Sequence, residues 1–386
     1  MSGQMRPLDG PALDIEQLIQ DPHTRIIVCC GSGGVGKTTT AAALGLRAAE
    51  NGRSVCVLTI DPARRLAQAM GLTVLDNTPR PVTGINTARG GSLSAMMLDM
   101  KRTFDEVVES HSDKARAQQI LANPFYQALS SSFAGTQEYM AMEKLSQLRT
   151  QADRDGTWDL IIVDTPPSRS ALDFLDAPER LSSFLDGKFI RILSAPARGA
   201  GKGIGRLVGA GVGLFAGVLN KVLGAQLLSD LGTFVAAIDT MFGGFRQRAV
   251  ETYALLAAEG TAFVVVAAPE RDALREASYF VDRLAADHMP LAGLVVNRMQ
   301  NANADDLSAD QARAAAERIE DEDAMLASLL TMHAMRLDEA ARQRRLVARF
   351  SGAHPSVSLR GVPALAQDVH DLEGLREIGA LLGQPT

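Results

Sequence analysis

The sequence is poor in cysteine, with three in 386 residues: Cys29, Cys30 and Cys56. All three lie in short apolar runs, two are adjacent, and no two have the CxxC spacing. This distribution excludes a disulfide framework and indicates a reducing compartment. We therefore expect the three thiols to be small core residues.

The sequence also lacks an excess of positive charge and an apolar N-terminal segment. It has 39 Lys and Arg against 45 Asp and Glu, a net charge of −6. A nucleic-acid-binding protein normally carries a basic domain, so no nucleic-acid partner is expected. Residues 1–25 contain acidic residues and prolines but no secretory signal, which favours a cytoplasmic location.

Short apolar runs recur along the chain and indicate the fold class. Several are rich in β-branched residues throughout, as in parallel strands that are covered on both faces. The expected fold is α/β, with a mainly parallel sheet flanked by helices. The runs are Ile26–Cys30, Ser54–Ile60, Leu93–Leu98, Leu160–Val163, Ala262–Ala267, Leu291–Val296 and, more weakly, Val357–Val362.

Three long stretches between these runs are predicted to be helical, at about 100–151, 174–256 and 303–349. The third is rich in alanine and in charged residues, and Ser308 is its expected N-cap. We expect a single domain over residues 1–386, with these insertions forming an α-helical subdomain.

The strongest motif is a complete phosphate-binding loop, GSGGVGKT, at residues 31–38. It follows the first predicted strand and opens a predicted helix, which is the context of a P-loop. In such a loop, backbone N–H groups and the helix N-terminus bind phosphates. Lys37 is expected to reach the β- and γ-phosphates, and the Thr38 hydroxyl to bind Mg²⁺. The expected nucleotide-binding residues of this segment are Gly31, Ser32, Gly33, Gly34, Val35, Gly36, Lys37, Thr38 and Thr39.

Two other predicted strands are followed directly by an aspartate, Asp61 and Asp164. Because ligands lie outside the carboxyl ends of parallel strands, both carboxylates are expected to face the phosphate site. Asp164 is the candidate ligand of Mg²⁺ or of its water shell. Asp61 is the candidate for orienting or deprotonating the attacking water. A turn or a helix cap is the alternative explanation for each aspartate.

These motifs resemble those of the arsenite-transport ATPase (ArsA) and tail-anchored-protein-targeting ATPase family of P-loop proteins. Within that family, GSGGVGKTTT, DPARRLAQA and DTPPSRSALDFLDAP are similar to the actinobacterial anion-transporter ATPase branch. The resemblance extends over nearly the whole chain and implies one P-loop ATPase domain that forms a dimer. The blocks that carry it are Gly31–Thr40, Asp61–Ala63, Asp164–Ser168, Asn297 and Val362–Leu365.

The resemblance also implies roles for individual residues. Asp61 would activate the hydrolytic water, Asp164 would bind Mg²⁺ through water, and Asn297 would read the adenine edge. Pro363 would flank the adenine. The implied catalytic residues are Asp61 and Lys37, and the implied cofactors are ATP and Mg²⁺.

The sequence departs from the family pattern at Ser32, where the family has its signature lysine. In related proteins this lysine reaches the phosphates of the partner subunit, so the partner in the expected dimer is a second copy or a companion homologue that carries the lysine. Arg169 is either a replacement charge near the γ-phosphate or a solvated arginine. Arsenite chemistry needs exposed, converging thiolates and a structural zinc needs a CxxC pair, so neither is expected here.

Residues 187–229 form an unusual basic and apolar segment. The segment has six basic residues and no acidic residue, and Gly205, Gly209, Gly213 and Gly217 recur at every fourth position. Its uncharged run is shorter than the ~20 residues that span a bilayer. The segment either packs closely inside the protein or contacts a hydrophobic client protein or a membrane surface.

The leading hypothesis is an ATPase that couples Mg-ATP binding and hydrolysis to rearrangement of the helical subdomain. The expected location is cytoplasmic, with or without peripheral contact to a membrane. One alternative, which Ser32 favours, is a nucleotide-binding scaffold subunit of a hetero-oligomeric ATPase with little activity alone. A partition-type ATPase is another, although residues 368–386 contain no basic amphipathic tail.

Overall fold

The structure is a computed structural model that describes residues 7–60, 65–72, 75–123, 126–127, 136–166, 247–248, 250–302 and 307–384. Asp61, Arg169 and the basic segment 187–229 lie outside the described residues. The chain divides into two compact units. The first comprises Met1–Met97, Arg149–Leu172 and Leu255–Thr386, and the second comprises Leu98–Leu148 and Asp173–Ala254.

One sheet of eight strands forms the centre of the first unit. The strands are β1 (Ile26–Cys30), β2 (Ser54–Thr59), β3 (Arg80–Pro81), β4 (Ser92–Met97), β5 (Leu160–Asp164), β6 (Thr261–Ala267), β7 (Leu291–Met299) and β8 (Leu359–Pro363). Their order across the sheet is β3-β4-β2-β5-β1-β6-β7-β8. All neighbouring strands are parallel except β3 and β4, which are antiparallel.

The central strands β1, β5 and β6 are buried along their whole length. Such burial requires cover on both faces of the sheet, as the β-branched runs of the sequence predict. The predicted α/β class with a mainly parallel sheet is confirmed, and each predicted run overlaps a strand. Only β3 is missing from the prediction. It is a two-residue exposed pairing whose proline is tolerated because the strand lies at the sheet edge.

The described helices are α1 (Ile15–Gln20), α2 (Lys37–Glu50), α3 (Arg65–Ala69), α4 (Met100–His111), α5 (Lys114–Leu121), α6 (Thr136–Asp155), α7 (Arg271–Ala286), α8 (Ala309–Ile319), α9 (Ala324–Ala353) and α10 (Leu372–Leu382). The alanine-rich α2 packs against β1, β2 and β5 on one side and contacts α10. Ser308 is the N-cap of α8, as predicted, and forms a capping box with Gln311. No helix within the described ranges is long and apolar enough to cross a membrane.

The second unit contains α4, α5 and the beginning of α6 in its described part. The Tyr126 ring packs edge-on against Phe104 with a centroid separation of 5.6 Å, and its hydroxyl donates to Asp105 at 2.6 Å. Arg248 forms an ion pair with the buried Glu143 at 2.9 Å. The described part of this unit is therefore helical, in agreement with the predicted α-helical subdomain. The assignment of residues 1–386 to a single domain stays a prediction.

Candidate functional site

The phosphate-binding loop begins at Gly31, directly after β1. Gly31 has a φ of 147°, and a Cβ there would lie 2.1 Å from the Val266 carbonyl oxygen of β6. Any other residue would collide with that backbone, so β1 can turn into the loop only through glycine. The loop consequently emerges at the carboxyl edge of the sheet, where β1 lies between β5 and β6.

Helix α2 begins without a side-chain cap. Its N-cap, Gly36, has a φ of 96° and makes no side-chain hydrogen bond, and the first turn contains no acidic residue. The first N–H groups of a helix have no acceptor within the helix and carry partial positive charge. The start of α2 therefore has the chemistry of an anion site, and Thr38 and Thr39 of its first turn line a cavity there.

Lys37 is held against the loop that precedes it. Its Nζ donates a hydrogen bond to the Ser32 carbonyl oxygen at 2.7 Å, and only 5% of the residue is exposed. The loop therefore fixes an ammonium group next to the uncapped helix end. A positive charge that is shielded from water binds phosphate oxygens more strongly than an exposed one.

The end of β7 supports the same loop through two consecutive side chains. Asn297 donates from Nδ2 to the Val35 carbonyl oxygen at 2.9 Å, and Arg298 donates from Nη1 to the Gly34 carbonyl oxygen at 3.0 Å. The Arg298 N–H in turn donates to Asn297 Oδ1 at 3.0 Å. Arg298 has a φ of 60°, a conformation that non-glycine residues rarely adopt. The β7 end thus holds two loop carbonyls in place at the cost of local backbone strain.

Asp164 is the last residue of β5 and is completely buried. The Thr59 hydroxyl, at the end of β2, donates to Asp164 Oδ2 at 2.9 Å. Strand register places Asp164 beside Cys29, two residues before the phosphate-binding loop. The Thr165 hydroxyl donates to the Cys29 carbonyl oxygen at 2.9 Å, which ties the ends of β5 and β1 together. A carboxylate is therefore fixed next to the start of the loop.

A cavity of about 610 Å³ lies beside α2 and the β7 end. It reaches the phosphate-binding loop at Gly36 and Thr38, and Gln68 and Ala69 of α3 also line it. The remaining lining residues are Thr39, Asn297, Arg298, Pro363, Ala364, Leu365, Gln367, Asp368, Val369, His370 and Ile378. Its volume suits a small-molecule ligand. Since it opens next to the uncapped helix end, a ligand in this cavity would lie beside the phosphate-binding loop.

The three cysteines lie in β1 and β2 and are completely buried, as predicted. Burial raises the pKa of the Cys30 thiol to about 12. It also raises the pKa of Cys29, with a further contribution from the neighbouring Asp164 carboxylate. All three thiols are inaccessible to solvent, and Cys29 and Cys30 favour the protonated form, which disfavours binding of a soft metal ion.

The structure brings most of the predicted site residues to one edge of the sheet. Residues 31–39, Asp164, Asn297 and Pro363 all lie at the carboxyl ends of β1, β5, β7 and β8, whereas Asp61 lies outside the described residues. Sequence reasoning missed Thr59, Arg298 and the cavity residues 367–370. The signal for Thr59 was a hydroxyl at the end of an apolar strand. No pattern in the sequence marked the others.

The residues present fit a nucleotide with its Mg²⁺. In the part of the chain that is described, no group of three or more His, Cys, Asp and Glu residues could hold a metal ion alone. A P-loop site does not need such a group, because one hydroxyl, one carboxylate and the phosphate oxygens share the ion. Thr38 and Asp164 provide the hydroxyl and the buried carboxylate at this edge.

Comparison with known proteins agrees with this geometry. An ATPase GET3 of Malassezia globosa is 29% identical over 177 residues, which are 46% of this chain and 49% of that protein. An ATPase GET3 of Ajellomyces dermatitidis is 27% identical over 289 residues, 74% of this chain and 76% of that protein. An arsenical pump-driving ATPase of Acidiphilium multivorum is 30% identical over 158 residues, 40% of this chain and 26% of that protein.

The match to a protein family is broader than these pairwise matches. Residues 24–329 match the anion-transporting ATPase (ArsA) family. The matched region includes the phosphate-binding loop, Asp164 and Asn297, and it ends before Pro363. The chain therefore belongs to the ArsA family and is a P-loop ATPase of that family.

Proposed function

We propose that this protein binds and hydrolyses Mg-ATP at the loop after β1 and couples the two steps to rearrangement of its second compact unit. The observation that carries the proposal is the uncapped start of α2, with the buried Lys37 held at the loop. This is the arrangement that binds the phosphates of a nucleotide. The adjacent cavity of about 610 Å³ accommodates the nucleoside.

In this proposal, Lys37 and the loop N–H groups bind the β- and γ-phosphates, and Thr38 and Asp164 hold Mg²⁺, with Asp164 acting through water. The bound ion would neutralise charge on the phosphates. Thr59 fixes the Asp164 carboxylate by its hydrogen bond of 2.9 Å. Asp61, which follows β2 in the sequence, orients and activates the water that attacks the γ-phosphate.

Asn297 and Pro363 are proposed to contact the adenine, because both line the cavity. Asn297 already uses one Nδ2 hydrogen on Val35 and one Oδ1 lone pair on the Arg298 N–H. An amide has a second hydrogen and a second lone pair, which suffice for a base edge. Asn297 would then hydrogen-bond both the adenine and the loop that binds the phosphates. Binding of the base would thereby be linked to the position of the loop.

The second unit is proposed to face a client protein or a membrane surface through residues 187–229. Six basic residues without an acidic one would favour an acidic partner or an anionic lipid surface. The working form is proposed to be a dimer in the cytoplasm, with or without peripheral contact to a membrane. Similarity to an ATPase GET3 and to an arsenical pump-driving ATPase supports the hydrolysis of ATP.

Amide hydrogen exchange on the full chain tests the coupling. Wild type and Asp61→Asn would be compared with no nucleotide, with Mg-ADP and with Mg-ATP. We expect amide exchange in the second unit to differ between the ATP and ADP states. With Mg-ATP, Asp61→Asn should keep the exchange pattern of the ATP state, because this variant is expected to bind ATP without hydrolysing it. Lys37→Ala is the control and should show no nucleotide effect. Changes confined to the loop and cavity of the first unit would contradict the coupling.

A second candidate function is favoured by Ser32. Its Oγ is buried and has no hydrogen-bond partner within the described part of the chain. The side chain therefore supplies no charge and no hydrogen bond at the position where the family carries a lysine. On this alternative the chain binds ATP and hydrolyses it only when a companion subunit supplies that lysine. Adding purified companion to the wild-type chain would then raise turnover, whereas the main proposal predicts turnover by the chain alone.

A further inference from the structure

Helix α9 exposes a stripe of large apolar side chains to solvent over its first three turns. Among the described residues, seven large apolar side chains are exposed, and five of them belong to this stripe. The stripe comprises Met325, Leu326, Leu329, Met332 and Met335, which are exposed to between 46% and 77%. A contiguous apolar patch of this kind on a protein surface marks an interaction site.

The stripe follows one face of the helix. Met325, Leu329 and Met332 are four and three residues apart, so they lie in one line along α9. The opposite face packs into the first unit through Ala327, Ala334 and other buried residues. Helices α8 and α9 pack against each other, and the Arg313–Asp338 ion pair joins them at the surface. The exposed side chains are therefore presented on a supported helix and not on a frayed end.

The two ends of the stripe carry opposite charge. Four consecutive exposed acidic residues, 320–323, precede its first methionine. Arg336, also exposed, follows Met332 by four residues and continues the same line. Two such helices packed in a parallel direction would bring acidic end against acidic end. Packed antiparallel, they would bring each acidic end towards the arginine of the other copy.

We propose that this stripe is an interface with a second copy of the chain, in which two α9 helices pack antiparallel about a twofold axis near Leu329 and Met332. In this arrangement Arg336 of each copy lies level with Met325 of the other, since both are equally far from the axis. An arginine side chain then reaches Glu322, about one turn beyond Met325. The interface would therefore contain two pairs of Arg336 and Glu322, one on each side of the twofold axis.

The same charges disfavour the other occupants. An anionic membrane would be repelled by residues 320–323, which adjoin the apolar side chains. A basic client helix would be attracted by the acidic end but repelled by Arg336. In a twofold interface both copies use the same surface, so the acidic end of each copy meets Arg336 of the other. The proposal rests on the dimer of the proposed function and specifies the surface that forms it, but it does not depend on ATP hydrolysis.

Sedimentation velocity of the full chain without nucleotide, at about 1 to 100 μM, tests this interface. We expect a monomer–dimer equilibrium that Leu329→Glu and Met332→Glu each weaken about tenfold or more. Val250→Glu is the matched control, because Val250 is exposed to 56% in the second unit and should leave the equilibrium unchanged. Met332→Gln, a milder polar variant, serves if either glutamate variant is poorly folded. Nucleotide binding by each variant checks the first unit independently.

Charge reversal tests the antiparallel direction. Glu322→Arg and Arg336→Glu should each weaken the dimer, and the double variant should restore it, because the exchanged charges again oppose each other. A monomeric wild type, a dimer insensitive to both stripe variants, or a double variant weaker than either single variant would overturn the proposal. Vesicle or client binding by a chain that stays monomeric would also overturn it. Absence of ATP binding together with the expected dimer pattern would refute the proposed function and leave the interface standing.

Discussion

Asn297 and Val35 are 262 residues apart in sequence and joined by a hydrogen bond of 2.9 Å from the asparagine Nδ2 to the valine carbonyl oxygen. The bond links the end of β7 to the middle of the phosphate-binding loop. A Cβ on Gly36 would lie 2.2 Å from the same nitrogen, so the amide also fills the space beside the start of α2. The side chain expected to read adenine therefore also positions the loop.

Removing this bond should weaken ATP binding. Asn297→Ala leaves the Val35 carbonyl without its partner and removes a proposed contact to the base, so we expect ATP affinity to fall about tenfold or more. Gln300→Ala is the control, because Gln300 contributes its backbone N–H to Gln343, which the truncation leaves intact. Equilibrium titration with ATP measures the effect. Equal affinities for the two variants would contradict the role of Asn297.

Lys37 and Asp61 should separate binding from turnover. Lys37→Ala removes the ammonium group held at the loop. It should abolish detectable ATP binding, because the lysine is proposed to contact phosphates in the ground state. Asp61→Asn should bind ATP like wild type and lose hydrolysis, because the proposed role of the carboxylate is confined to the attacking water. Binding titration and phosphate release on the same preparations distinguish the two. Wild-type turnover in Asp61→Asn would remove that residue from the proposed mechanism.

A lysine at position 32 should accelerate hydrolysis. The Ser32 side chain makes no hydrogen bond in the described part of the chain, so Ser32→Lys breaks none. In the proposed dimer, the new charge would neutralise the transition state of the partner subunit. We expect slow turnover in wild type and a clear gain in the variant. Ser32→Met, similar in length but uncharged, is the control. Rapid wild-type turnover with no gain from lysine would refute the need for this charge.

The buried cysteines should be inert towards thiol reagents and arsenite. Burial raises the pKa of Cys30 to about 12, well above that of a free thiol at about 8.5, so the folded state keeps the proton at pH 8. We expect negligible labelling of folded protein at pH 8 and labelling of all three thiols after denaturation. Arsenite should neither bind at micromolar concentration nor stimulate hydrolysis. Rapid labelling of all three thiols in the folded chain would contradict their burial and would make them candidates for binding arsenite.

The fold and the core of the site could be predicted because their signals are local. Strand β1 is five apolar residues followed by a glycine-rich loop, and both burial and loop geometry follow from those residues. The contacts that complete the site are long-range. Arg298 meets Gly34 only because β7 lies two strands from β1, and nothing in the sequence around Arg298 specifies that neighbour.

The loop after β8 illustrates the same limit. Family resemblance implies that Pro363 flanks the adenine, and in the structure Pro363 lines the cavity. Asp368 and His370 line it as well, but they lie in a polar stretch without periodicity or motif. Asp368 and His370 line the cavity because of the path that the chain takes between β8 and α10, and tertiary packing determines that path.

Mg²⁺-dependent phosphate release by the purified full chain tests the central claim most directly. Wild type, Lys37→Ala and Asp164→Asn would be assayed with ATP across a range of Mg²⁺ concentrations. Asp164→Asn keeps an oxygen that can accept from Thr59 but loses the charge that would hold the ion, so it should need far more Mg²⁺. We expect wild type to release phosphate only with Mg²⁺, and Lys37→Ala to release none. Equal release from wild type and Lys37→Ala, or a wild type that neither binds nor hydrolyses ATP, would contradict the account.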